Sequence, residues 1–311
     1  MTIDGLLLVD KEAGCTSHDV VQRARRILRQ KRIGHCGTLD PDATGLLLLT
    51  LGQATRLTRF LIHAPKTYEG SIRFGVATDT YDASGRIVEE RPIDGLEEAA
   101  IDRGMEAFAG ILEQQLPAYS ARKVQGVRLY ELARRGEEVP ESSKTVTVYE
   151  FARTGGLADG RLAFRLACSS GTYARALAHD LGRALGCGAH LAALRRTRIG
   201  PFAVESSLTL GELERRTIAG EALGDGWFPI AQIPLPFATV CLDAQQERRA
   251  TNGQTIVLAG LGGETGDWVR LVDRAGEMLA VGSVAERLGS SGTAVVQPRI
   301  VFKGAATVVS F

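Results

Sequence analysis

Residues 33–52, IGHCGTLDPDATGLLLLTLG, constrain this chain more than any other stretch. Gly34, Gly37 and Gly45 punctuate a polar loop, Pro41 follows Asp40, and an apolar run, Leu46 to Leu49, comes directly after. Glycine opens backbone angles closed to other residues, so the loop can turn sharply and let another molecule approach closely. The residue before a proline is held out of helical geometry. Asp40 is therefore expected to project from extended or turning backbone, just ahead of a buried strand that holds it still. A carboxylate so placed suits chemistry. The same composition also makes an ordinary turn, whose aspartate is a local cap or is solvated.

Two sharper alternatives can be weighed on the residues alone. Asp40, Asp42, Thr44 and Gly45 look like the start of a calcium-binding loop. That loop needs a bidentate Glu at its twelfth position, which here is Leu51, and its second position is Pro41. Calcium is rejected. An aspartyl-phosphate enzyme uses such a carboxylate as nucleophile, but at the end of an apolar strand. Here Gly34, His35, Cys36, Gly37 and Thr38 precede it, so that reading survives only weakly.

With 311 residues the chain suits one large domain plus a small one, or two domains. Its net charge of +1 gives no global pull towards nucleic acid, so such a partner must be met by a local patch. The five cysteines, Cys15, Cys36, Cys168, Cys187 and Cys241, are scattered and never spaced as a metal site. They read as reduced thiols of a cytoplasmic protein. The opening MTIDGLLLVDK lacks the basic lead and long apolar core of a signal peptide. No apolar run approaches the ~18 residues that a membrane span needs.

Gly5 to Val9 is an apolar run fit for a buried strand. Thr16 or Ser17 caps a helix whose buried stripe is Val20, Val21, Ala24, Ile27 and Leu28. Its other face and the following loop carry Arg23, Arg25, Arg26, Arg29, Lys31 and Arg32, with no acid among them. This basic stretch runs directly into the Asp40 loop, where a phosphate backbone would be held. Strands are expected over Leu46 to Leu51, Tyr68 to Gly75, Arg86 to Glu90, Lys144 to Thr154 and Arg161 to Cys168. Asp82-Ala83-Ser84-Gly85 is the turn joining the second of these to the third. Helices are expected over Gln53 to Leu61 and Leu96 to Glu113, and Tyr119 to Arg135 is basic and interleaved with tyrosines. Ser169, Ser170 or Thr172 can cap a helix with the stripe Ala174, Leu177, Ala178, Leu181 and Ala184, which Gly186 ends. Tyr173 and Arg175 then fall in its first turn beside a strand end, where sites in mixed sheets gather. Trp227-Phe228-Pro229, with Pro234 and Pro236, reads as an interdomain linker. Short strands follow within Asp267 to Asp273, Met278 to Val284 and Thr293 to Val301.

GHCGTLDPDATG closely resembles the catalytic motif of the tRNA pseudouridine synthase B (TruB) family, usually GHxGTLDPxATG. DKEAGCTSHDVV resembles the family's opening motif, with Glu12 where proline is usual. Tyr119 to Arg135 resembles another family block, GTYAR resembles GTYxR, and Leu191 to Arg198 resembles a strand ending in Leu-Arg-Arg, here Leu194-Arg195-Arg196. The resemblance covers most of residues 5 to 205. It implies an α+β pseudouridine-synthase fold over residues 1–232, with a mixed, mainly antiparallel central sheet flanked by helices. A small β-rich, PUA-like RNA-binding domain is implied for 233–311. The implied activity isomerises uridine 55 in the tRNA T stem-loop, with no cofactor, no metal and no membrane partner; a monomer is expected, because tRNA contacts would use much of the surface.

That reaction detaches uracil from C1′ of its ribose, rotates the ring and rejoins it through C5, so nothing is oxidised and no phosphate is spent. By resemblance Asp40 is the catalytic carboxylate, attacking C1′ or taking a proton from C2′. Arg175 faces it, Tyr68 stacks on the flipped base and acts as base at C5, and Tyr173 bounds the uracil pocket. Leu194 lines the apolar side, and His35 fills the gap that the base leaves. A dry pocket would raise the carboxylate's pKa by up to ~3–5 pH units, and a guanidinium would lower it by ~1–3. Arg175 is therefore expected beside Asp40. Base extrusion costs a few kcal/mol, and stacking returns ~1–3 kcal/mol per base. The other histidines, His18, His63, His179 and His190, lack ligand spacing and receive no role. Two rivals stand beside this reading. A non-catalytic RNA-binding protein on the same scaffold would be expected to lack Asp40, Tyr68 or Arg175, and an aspartyl-phosphate hydrolase predicts magnesium dependence.

Overall fold

The apolar run after the Asp40 loop becomes a central strand, and its alternation explains why it carries no polar face. In the computed structural model, which describes residues 3–117, 123–124, 127–128, 142–289 and 292–304, Leu46 and Leu48 join one core with Leu6 and Leu8. Leu47, Leu49 and Leu51 join another with Leu7, Val9, Val20 and Val21. Side chains alternate along a strand, so one covered on both sides must be apolar throughout.

Ten strands form one sheet: β1 (Gly5–Lys11), β2 (Ile33–His35), β3 (Thr44–Leu51), β4 (Lys66–Phe74), β5 (Gly110–Gln115), β6 (Ser143–Arg153), β7 (Arg161–Cys168), β8 (Ala189–Ile199), β9 (Phe202–Ala203) and β10 (Trp227–Pro229). Their order is β10-β1-β3-β8-β4-β7-β6-β5, with β2 on β3 and β9 on β8. Among the described residues its pairings are antiparallel except β3 with β8, where Thr44 and Gly45 lie beside Arg195 and Arg196. The sheet is mixed and mainly antiparallel, as expected.

Helix α1 (Ser17–Ile27) opens on a capping box, in which Thr16 and Asp19 each accept the other's backbone N–H. With α4 (Leu210–Ala219) it covers the core around Leu7 and Leu47. Helices α2 (Glu98–Glu106) and α3 (Ala174–Ala184) supply Ile101, Met105, Leu177 and Leu181 to a third core with Ile72, Phe164 and Leu166. No described helix is long and apolar enough to cross a membrane.

Four local expectations are corrected. The helical stretch Leu96 to Glu113 stops at Glu106, and Gly110, at φ +97°, begins the edge strand β5. Helical periodicity does not register that the edge of β6 is open to pairing. Trp227-Phe228-Pro229 is no linker but strand β10, paired with β1 at the other edge, where a proline is tolerated. The 82–85 turn joins Val76–Thr78 to Ile87–Glu90 rather than β4 itself, because Gly75, at φ +84°, breaks β4 first. The turn after β3 is a 3-10 helix, Gly52–Leu57, running into a short α-helical turn, Thr58–Leu61. Tyr119 to Arg135 lies outside the described residues, save for the paired segments 123–124 and 127–128.

A second sheet holds β11 (Ala238–Cys241), β12 (Ile256–Leu258), β13 (Trp268–Val272), β14 (Met278–Leu288) and β15 (Thr293–Val301), in the order β11-β13-β14-β15-β12. Helix α5 (Ala244–Thr251), capped by Asp243, was not foreseen, nor were β11 and β12. Met278, Val281, Ile300 and Phe302 share a core with Leu6, Leu8 and Leu57 of the first unit. Phe60 meets Phe237 and Trp268 edge-on, at centroid distances of 4.9 and 4.8 Å.

Candidate active site

Asp40 stands on a tight turn, its carbonyl accepting from Ala43 N–H at 3.1 Å. Loop carbonyls have no ladder partners, and a buried charge needs hydrogen bonds; here each answers the other. Lys11, at the end of β1 and 1% exposed, donates to the carbonyls of Glu12, Pro41 and Ala43 at 2.9, 2.8 and 2.8 Å. Arg196 of β8, also 1% exposed, donates through Nε to Leu46 O at 2.7 Å and through Nη1 and Nη2 to Thr38 and Gly37 carbonyls. Ser17, first residue of α1, takes the N–H of Leu39 at 2.9 Å. Burial pushes the Lys11 ammonium down from its ordinary value, against the pull of Cys15, Asp42 and Asp40. Neither buried cation was foreseen, since lysine and arginine on a strand normally read as surface.

Arg175, 6% exposed on the first turn of α3, brings Nε to 3.5 Å from Asp40 Oδ2. Its Nη1 lies 3.8 Å from Asp82 Oδ2, so one guanidinium serves two carboxylates. Asp82 was read as a turn residue, and it is one: its Oδ1 accepts from Ser84 N–H at 3.0 Å and from the Thr80 hydroxyl at 2.7 Å. Nothing local separates such an aspartate from one whose second oxygen also faces a site. The expected Ser169, Ser170 or Thr172 cap of α3 is not formed. Tyr173 is the N-cap residue, and buried Gln114 of β5 takes its N–H at 2.8 Å and donates to its carbonyl at 3.0 Å. The Ser169 hydroxyl instead accepts the Thr147 N–H of β6, and the Thr172 hydroxyl donates to the Ser169 carbonyl in the preceding turn. The Arg175 guanidinium lies 5.6 Å from the Tyr173 ring centroid.

A cavity of about 1270 Å³ opens over these groups. Asp40, Arg175, Asp82, His35 and Leu194 line it. It exceeds the ~300–1,000 Å³ usual for small-molecule pockets, which suits a segment of a larger substrate. Burial pushes the His35 imidazole down from its ordinary value, against a backbone hydrogen bond with Gly37. Tyr68 and Tyr173 are not among the lining residues. Tyr68 is 9% exposed, packed in the core that includes Leu39, where burial pushes its phenol up and Arg196 opposes. The expected dry enclosure of Asp40 is also corrected, because its side chain is 47% exposed at the cavity wall.

Two family models match consecutive stretches of the chain. One, described as TruB family pseudouridylate synthase (N terminal domain), covers residues 25–174; the other, tRNA pseudouridylate synthase B C-terminal domain, covers 175–226. The protein named tRNA pseudouridine synthase B from Thermobifida fusca is 44% identical over 309 residues, 97% of this chain and 99% of that one. The chain belongs to the TruB family of pseudouridylate synthases. A TruB-family relative of the same name from Opitutus terrae is 50% identical over 212 residues, 68% of this chain and 88% of that one. A solved structure of an H/ACA RNP bound to a substrate RNA containing 2′-deoxyuridine superposes with a TM-score of 0.74 at 26% identity, covering 97% of this chain and 86% of that one. As a TruB-family member this is an RNA-modifying isomerase. The Asp40–Arg175 pair joins the two matched regions, and the second sheet lies beyond both.

Proposed function

We propose that the chain isomerises uridine 55 in the T stem-loop of tRNA to pseudouridine, with Asp40 as the catalytic carboxylate. The observation that carries this reading is the 3.5 Å approach of the Arg175 guanidinium to the Asp40 carboxylate in the wall of a cavity large enough for a flipped nucleotide and its neighbours. The guanidinium's planar fork, itself buried, fixes where the acid points. Relatives named tRNA pseudouridine synthase B support tRNA as the substrate.

In this reading the target uridine leaves its stack, at a cost of a few kcal/mol, and enters between Leu194 and the Asp40 loop. Asp40 acts at the sugar, attacking C1′ or taking the C2′ proton. The C1′–N1 bond breaks, the ring turns, and C5 bonds to C1′ as the Asp40 carboxylate leaves C1′ or returns the C2′ proton. The Tyr68 oxygen takes the C5 proton while its phenol passes its own proton on, and N1, freed of the sugar, gains one. Arg196 is the charge that offsets burial at the Tyr68 phenol. His35 fills the space that the base vacates, and Tyr173 bounds the uracil through its contact with Arg175. Exposed Arg23, Arg26, Arg29, Lys31 and Arg32 lead into β2 and His35, a path for the phosphate backbone. Residues 1–232 form the catalytic domain and 233–311 a PUA-like module holding the tRNA, in a monomeric cytoplasmic enzyme.

The test is incubation with an unmodified tRNA transcript and no added cofactor, followed by mapping of pseudouridine. One modified T-loop position is expected with wild type and none with Asp40→Asn. Equal turnover by that variant would remove Asp40 from the chemistry. Binding without any pseudouridine would favour the non-catalytic RNA-binding protein, and magnesium-dependent phosphate release the hydrolase.

A further inference from the structure

Asp82 follows a residue whose backbone and ring are both unusual. Tyr81 sits at φ +67°, in the left-handed region that a bulky side chain seldom occupies and that glycine takes freely. Its ring stacks on that of His179, with centroids 3.8 Å apart and planes 15° from parallel. His179 lies on α3 one turn after Arg175, so the two side chains share a helix face. Its Nδ1 is buried with no hydrogen-bond partner among the described residues, which leaves the tyrosine face as its evident restraint.

The two contacts run side by side. Arg175 meets Asp82, and four residues along the same helix His179 meets Tyr81, the residue just before Asp82. The backbone around them is tied to β8, with Leu191 N–H donating to the Tyr81 carbonyl at 2.9 Å and Ala83 N–H donating to the Leu191 carbonyl at 3.0 Å. Those bonds fix the loop to the sheet but not to the helix that carries Arg175. The stack makes the second attachment, and a tyrosine held where glycine would be easier indicates that the ring is what the position needs.

We propose that the Tyr81–His179 stack is a positioning device: it locks the 80–84 loop to α3, sets Asp82 against Arg175, and so fixes the guanidinium that orients Asp40. The inference rests on the proposed catalytic pairing of Asp40 with Arg175. Tyr81 and His179 are positioning residues, for neither lines the cavity.

Single-turnover pseudouridine formation on an unmodified tRNA transcript, at saturating enzyme, tests it. Tyr81→Gly suits the backbone and deletes the ring. It is expected to slow the chemical step at least about tenfold, since small misplacements near a reacting centre are costly. tRNA affinity should stay within about twofold, because the ring does not line the cavity. Tyr81→Phe keeps the ring and should restore the rate, and His179→Phe should outperform His179→Ala. Retention of the wild-type rate by Tyr81→Gly would overturn the proposal, as would an equal loss in Tyr81→Phe. An inactive wild type would instead overturn the functional reading, and this inference with it.

Discussion

Lys11, Lys66 and Arg196 are buried, and all three spend donors on backbone carbonyls. For Lys11 two of those carbonyls, Pro41 and Ala43, belong to the Asp40 loop, and Pro41 O also takes the Gly14 N–H. Lys11→Met would remove their shared donor, at ~1–3 kcal/mol for each carbonyl left dry and unpaired. A loss of about 3 kcal/mol in urea unfolding is expected, with kcat falling more than KM rises. Lys66 adds a pH dependence. Burial pushes its ammonium from 10.5 down to about 8. Between those values the unfolded chain holds a proton that the folded protein has released, so this group's contribution to stability rises with pH. The penalty is fully present below about 8 and relieved by 10.5. The buried Tyr68, Cys36 and Cys168, all pushed up by burial, run the other way, so the comparison must be with Lys66→Met. The unfolding free energy of wild type minus that of the variant is expected to increase from about pH 7.5 to about pH 10.

Among elements, the parallel contact of β3 with β8 matters most, because it brings the Asp40 loop and Arg196 together. Gly45 makes that contact possible. At φ +100° an added Cβ would stand 2.3 Å from the Arg196 carbonyl oxygen and 2.8 Å from its nitrogen, and backbone cannot step aside as a side chain can. Gly45→Ala is therefore expected to cost more than about 3 kcal/mol, seen as a lower urea midpoint with unchanged slope, and to abolish pseudouridine formation before it abolishes folding. The apolar alternation of β3, the stripe of α1 and the inward face of β7, with Leu162, Phe164, Leu166 and Cys168, were legible because each is a local period. The edge strands β5 and β10 were not. They form because a sheet edge offers unpaired donors and acceptors, a property of the neighbour and not of the segment.

At the scale of the whole molecule, the two large sheets are fastened by one shared core rather than by a linker alone. Trp268 sits at that seam against Phe60 and Phe237, with the Arg59 guanidinium 5.3 Å from its ring. Trp268→Ala is expected to cost about 3 kcal/mol and to split one cooperative transition into two, visible as near- and far-UV circular dichroism curves that no longer coincide. Chemistry on a short T-stem-loop substrate should be spared, because Phe60, Phe237 and Trp268 do not line the Asp40 cavity.

The sequence by itself determined what depends on neighbours along the chain. The glycines and Asp-Pro step placed Asp40 on a turn before a buried strand, helix stripes announced α1 and α3, and short motifs pointed to the family. Tertiary structure alone decided which buried cations would hold the loop, that Asp82 would share Arg175 with Asp40, and that Gln114 would hold the backbone of Tyr173 at the start of α3. A lysine, a turn aspartate or a glutamine looks the same along the chain whether it ends in water or against the Asp40 loop. Its role is set by the surface it meets, and that surface comes from residues far away in sequence.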